Sequence, residues 1–106
     1  MNDYKNAFSF LFMKNHLNVP DSVLQTFAME MVLAPVSVSI LTEILSRKKY
    51  VKGLVHAGFK EFGLPAELVA KTLNLSPSTV YWHLKSETTT VLNLRKEVLQ
   101  NQKFQV

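Results

Sequence analysis

One run of this chain restricts its folding more than any other: Leu64-Pro65-Ala66-Glu67-Leu68-Val69-Ala70-Lys71-Thr72-Leu73-Asn74-Leu75-Ser76-Pro77-Ser78-Thr79-Val80-Tyr81-Trp82-His83-Leu84. Pro65 suits the first turn of a short helix, where a missing N–H costs nothing. Leu68, Val69, Ala70 and Leu73 then supply its buried face, with Ala70 small enough for a second helix to cross it. Asn74 falls where the backbone needs a positive φ, which asparagine tolerates better than most residues. Leu75 plugs the gap. Ser76 is an N-cap candidate with Pro77 at the first helical position, and Val80 and Leu84, four apart, anchor the second helix. Two short helices joined by a tight turn are expected.

Helical spacing of apolar residues extends over the rest of the chain. A first helix is expected over 3–17 around Ala7, Phe8, Phe10, Leu11 and Phe12, broken at Asn18-Val19-Pro20-Asp21. A second covers 21–34. A third runs over 35–46, with Pro35 in its first turn; Val36-Ser37-Val38-Ser39-Ile40 alternates like a strand, but Ile40, Leu41, Ile44 and Leu45 continue at helical spacing. A fourth covers 47–62 and ends at Gly63, a left-handed C-cap; Gly53 and Gly58 weaken it or mark a close helix crossing. Between 88 and 104 a closing helix is favoured from about residue 90 to 103, although Thr88-Thr89-Thr90-Val91 also has the propensity for one arm of a wing. The expected fold is all-α: a small single helical domain of five or six short helices around one core, containing a helix-turn-helix. The crowded Phe8-Ser9-Phe10-Leu11-Phe12 cluster offers more apolar surface than one helix face needs, and residues 1–45 are therefore a candidate dimerisation or partner region.

Charge is unevenly spread. Residues 1–45 carry Lys5 and Lys14 against Asp3, Asp21, Glu30 and Glu43, a net of −2; residues 46–106 carry ten Lys or Arg against Glu61, Glu67, Glu87 and Glu97, a net of +6. A basic half that also holds the two-helix unit suits a polyanionic duplex, because each neutralised phosphate releases a counterion. Cysteine is absent, which excludes disulfides, thiolate metal sites and a cysteine nucleophile. His16, His56 and His83 lack metal-ligand spacing. Ser37, Ser39 and Thr88–Thr90 have no recognisable base, Glu61 and Glu67 form no glycosidase pair, and no Gly-rich phosphate loop exists. Neither an enzyme nor a cofactor or metal is expected. The uncharged stretch Met31–Thr42 falls short of the ~20 residues of a membrane span and contains Pro35, and no secretory signal is visible. A cytoplasmic protein is expected, without a membrane partner.

The stretch from Gly63-Leu64 to Leu84 resembles the helix-turn-helix of LuxR/GerE-type bacterial regulators. Val69-Ala70, Leu73, Leu75-Ser76-Pro77, Thr79-Val80 and His83-Leu84 carry the likeness, which covers about residues 47–86 and has its specific part in Gly63–Leu84. The resemblance implies that the helix from Pro77 to Lys85 lies in the major groove, that the helix over 47–62 is a scaffold, and that a helix within 88–104 supports dimerisation. Tyr81 stands where the family often has a basic residue, and Ser46-Arg47-Lys48-Lys49 stands near the place of its usual Thr-x-Arg-Glu opening.

The expected function is sequence-specific DNA binding by a small transcription regulator, a homodimer on two half-sites about one helical turn apart. Lys48, Lys49, Lys71 and Lys85 are candidates for phosphates; Ser76 caps the reading helix, and Ser78, Thr79, Tyr81 and Trp82 come nearest the bases. Of Tyr81 and Trp82, one is expected to face outward. Dimer contacts are expected from 1–45 or 91–103. The alternative is a protein-interaction module that docks the same helices on another regulator or RNA polymerase without touching DNA; a purely structural oligomer is a third reading.

Overall fold

Prolines, caps and left-handed residues set where the helices of this chain stop and restart. A computed structural model describes residues 2–103, with side chains through residue 101; residue 104, the last of the expected C-terminal region 88–104, lies outside the described residues. Helix α1 runs Tyr4–Asn15, α2 Asp21–Val32, α3 Val38–Leu45, α4 Lys48–His56, α5 Ala66–Leu73, α6 Pro77–Leu84 and α7 Leu94–Lys103, and a π-helical turn, Ala57–Glu61, prolongs α4. All regular structure among the described residues is thus helical, in seven helices rather than five or six.

Local chemistry explains most boundaries. Asn18 at φ 49° turns the chain between α1 and α2, and Leu33 ends α2 in the left-handed region at φ 62°. Gly63 at φ 62° closes the π turn, where the Leu64 N–H reaches back to the Gly58 carbonyl at 3.1 Å.

Two expectations are corrected. Pro35 is not in the first turn of α3; that helix starts at Val38, with Ser37 extended and its Oγ accepting the Ile40 N–H at 3.2 Å. The serine hydroxyl satisfies an orphan N–H that Pro35 cannot reach. Val36 meanwhile sinks into the core and its carbonyl accepts a hydrogen bond from Gln25 Nε2, which holds 35–37 outside the helix. The segment 86–93 is neither a helix from residue 90 nor a wing. The other end of the chain captures it: Asp3 N–H donates to the Leu92 carbonyl at 2.9 Å, Asp3 Oδ2 accepts the Leu94 N–H at 2.9 Å, and the Tyr4 hydroxyl donates to the Thr90 carbonyl. Asn93 then caps α7 by accepting the Lys96 N–H at 3.1 Å.

The core joins both halves of the chain. Helix α1 packs on α2 and also on α4, the π turn and α5, while α7 covers α2 and α3. With both sides of α1 in use, Phe8, Phe10 and Leu11 are buried and Phe12 is half-buried. The aromatic cluster is therefore spent mostly inside the molecule, while Phe8, Ser9, Phe12 and Met13 still line an open apolar pocket with Phe62 and Leu64. On and just before α7, Leu92, Leu94 and Val98 are fully buried, while Val91 and Leu99 stay exposed. Among the described residues no helix is long and apolar enough to cross a membrane.

Candidate nucleic-acid interface

Helices α5 and α6 are held at a fixed junction by three consecutive residues. Asn74 adopts φ 57°, ψ 44°, and its N–H reaches back to the carbonyls of Ala70 and Lys71. Leu75 N–H donates to the Ala70 carbonyl at 2.8 Å, and the Leu75 side chain packs on the core. Ser76 is extended, and its Oγ accepts the Thr79 N–H at 3.3 Å with Pro77 opening α6. A left-handed residue that ends one helix and a serine that begins the next leave little freedom in the angle between them. Pro65 stands one position earlier than expected, as the N-cap of α5 rather than in its first turn.

The buried side of the junction is small and apolar. Ala66, Val69, Ala70 and Val80 lie in the core, and Leu73 and Leu84 pack partly against it. Thr72 joins them: its side chain is fully buried, its hydroxyl donates to the Leu68 carbonyl at 2.9 Å, and its own carbonyl accepts Asn15 Nδ2 at 2.6 Å. That bond ties the end of α1 to the end of α5. Nothing in the local sequence pattern marks it, because the partners are far apart in the chain.

Burying Val80 turns the opposite side of α6 to solvent. Ser78 and Lys85 are exposed, and Tyr81 and Trp82 both face outward at 59% and 64% exposure, where only one was expected to. Thr79 is half-buried, and its hydroxyl lies 2.8 Å from Ser76 Oγ; Ser78 Oγ lies 3.1 Å from the same oxygen. Ser76 is thus the hub of a hydroxyl cluster at the start of α6.

The cations divide into two sets. Lys48 and Lys71 are exposed, on α4 and α5, the two helices against which α6 packs. Lys49 is drawn the other way: its Nζ lies 3.5 Å from Glu97 Oε1 on α7 and 5.0 Å over the Tyr50 ring. Arg47 Nη1 joins the same carboxylate at 2.9 Å, and the Tyr50 hydroxyl donates to it. Burial works to raise the Glu97 pKa, but the Tyr50 hydroxyl, Lys49 and Arg47 outweigh it and hold it below the ordinary value. Burial and the neighbouring carboxylate push the Tyr50 phenol well up, so it stays a donor.

Lys52 was missed by sequence reasoning. Helix α4, which carries Lys52 and His56, packs on α6, and burial, with the charges of Lys52 and His56, lowers the pKa of His83 on α6. The signal lay in the spacing Lys48, Lys52, His56, four residues apart, which puts all three on one side of a helix. His56 Nε2 lies 2.6 Å from the Ser86 carbonyl and fixes the chain just after α6. Trp82 meets His83 edge-on, with ring centroids 4.9 Å apart.

No protein-family model matches this chain, and no significant match is found among curated proteins or solved structures.

Proposed function

We propose that the chain is a sequence-specific DNA-binding transcription regulator of the cytoplasm, working as a homodimer, with α5 and α6 as its helix-turn-helix and α6 in the major groove. One observation carries most of the reading: α6 is locked at its start by Asn74 and Ser76, pinned below by Val80, and leaves Ser78, Tyr81, Trp82 and Lys85 open to solvent on its other side. A helix presented in this way can approach base edges with short side chains near its start, while flanking cations neutralise phosphates. Lys85, Lys71, Lys48 and Lys52 supply the phosphate contacts; Lys49 is withdrawn from that set because Glu97 holds it. Tyr81, in place of a basic residue, donates its hydroxyl to a phosphate. For the second copy, Val91 and Leu99 are exposed apolar residues next to α7 and on it.

The test is retention of the purified chain on random duplex across a salt series, followed by selection of bound sequences. Retention at low salt that falls steeply as salt rises, with enrichment of a two-part site, is the expected result. Absence of retention at low salt overturns the reading.

The interaction-module reading keeps one specific support. Two large aromatics exposed side by side are unusual on a solvated helix, and Trp and Tyr anchor protein interfaces. A stoichiometric protein partner recovered after nuclease treatment, and lost in Trp82→Ala, would decide for it.

A further inference from the structure

Behind the α5–α6 junction lies a pocket of about 190 Å³, open to solvent on one side and bordered by α1, α3, α4 and the junction itself. Its floor is aliphatic, built from Leu11, Leu45, Val51 and Leu54. Leu73 and Leu75 of the junction add further aliphatic surface, and the polar part of the lining comes from Lys14, Asn15, Thr42, Ser46, Asn74 and the buried Thr72. The hydroxyls of Thr42 and Ser46 are committed as donors to the carbonyls of Val38 and Glu43, both at 2.7 Å. The donors left for an occupant are therefore the Lys14 ammonium, the Asn74 amide and the second N–H of Asn15, whose first goes to the Thr72 carbonyl. Lys14 forms no ion pair among the described residues. Lys14 and Thr42 also border a wider groove that contains Asp21 and Glu43. A second negative charge on an occupant would meet those carboxylates.

We propose that this cavity binds a small aliphatic monocarboxylate of about four to six carbons, the size that fills room for about six water-sized groups. The alkyl chain rests on the leucine and valine floor, and the carboxylate takes its hydrogen bonds from Lys14 and the two asparagines. Occupancy braces Asn74 and Leu75 from behind, so the ligand acts on the angle at which α6 is presented; this last consequence rests on the DNA-binding reading above, whereas the binding itself does not.

The experiment titrates the full chain with butyrate, pentanoate and hexanoate, with adipate and 1-pentanol as controls, and follows backbone amide shifts. Saturable shifts at Ser46 and Thr72–Leu75 are expected with a monocarboxylate. Binding should weaken about tenfold or more with adipate, with 1-pentanol and in Lys14→Met, recover in Lys14→Arg, and be blocked in Ser46→Leu, which fills the exposed mouth without touching the core. Absence of saturable shifts in the millimolar range overturns the proposal, and so do shifts that are equal in wild type and a folded Lys14→Met. Duplex retention with and without pentanoate separates the two claims. Carboxylate binding without duplex retention leaves the site and removes the DNA reading; duplex retention without carboxylate binding does the reverse.

Discussion

The ring of Tyr4 fills the space that a side chain on residue 53 would need. A Cβ on Gly53 would stand 2.1 Å from Tyr4 Cζ, and the ring has no easy retreat. Its hydroxyl donates to the Thr90 carbonyl, burial pushes that hydroxyl up to about 12 so that it stays a donor, and Tyr50 meets it edge-on at 6.2 Å between centroids. Helix propensity alone makes Gly53→Ala a gain of about 1 kcal/mol. Overpacking against a held ring costs about 1–3 kcal/mol beyond that gain, so a net loss is expected. Urea unfolding checks it: the midpoint should fall at unchanged slope, and a midpoint at or above wild type would mean that Tyr4 yields freely.

Leu33 should be improvable. It sits at φ 62° with 73% of its surface exposed, so the left-handed backbone costs an L-residue about 1–2 kcal/mol with little packing in return. Leu33→Gly relieves that cost and loses about 0.5–1 kcal/mol to unfolded-chain entropy. The expected gain is about 0.5–1 kcal/mol, read as a higher urea midpoint. Asn74, at φ 57°, already carries a residue suited to the conformation, so Asn74→Gly should change stability less than Leu33→Gly, and Asn74→Val should lower it by about 1–2 kcal/mol. A loss in Leu33→Gly would show that the leucine side chain holds something in place.

These two left-handed residues also mark how far the sequence was legible. Asn74 and Ser76 act on backbone groups within a few residues of themselves, so the junction between α5 and α6 could be read directly from residue types. Gly63 is a case of the same kind. What stayed hidden is long-range. The start of α3 depends on whether Pro35 stands in its first turn or Ser37 caps it, and burial of Val36 decides it. The segment 86–93 depends on Asp3 and Tyr4, almost the whole chain away. Nothing local shows that Lys49 lies near Glu97, or that α4, which carries Lys52, packs against α6.

Glu97 closes a clamp between α4 and α7, and its protonation should be felt in stability. Its folded pKa lies below the ordinary value of 4.5. The stability it contributes is therefore fully present above that value and is lost as pH falls through the lower folded one. Glu97→Gln should reduce stability near neutral pH by about 1–2 kcal/mol, a figure discounted because Arg47 and Lys49 are partly open to water. The variant should also lose less than wild type on acidification below 4.5. Parallel acid limbs for the two proteins would remove Glu97 from the clamp.

In the proposed DNA-binding reading the outward side of α6 both positions the protein and reads bases, and two substitutions tell these roles apart. Lys85 is exposed just past the end of the helix with Trp82 one turn before it, and the DNA-binding reading proposed above makes it a phosphate ligand. Lys85→Ala should weaken binding to all duplexes alike and make the slope of log affinity against log salt shallower by about 1. Ser78 is near the start of the helix, its hydroxyl 3.1 Å from Ser76 Oγ and open to solvent. Ser78→Ala should leave the salt slope alone and change preference at one base pair by about 1–3 kcal/mol. Competition binding with matched and singly mismatched duplexes measures both. Equal losses on all duplexes for Ser78→Ala would make it a positioning residue, and an unchanged salt slope for Lys85→Ala would move the phosphate contact to Lys52 or Lys71.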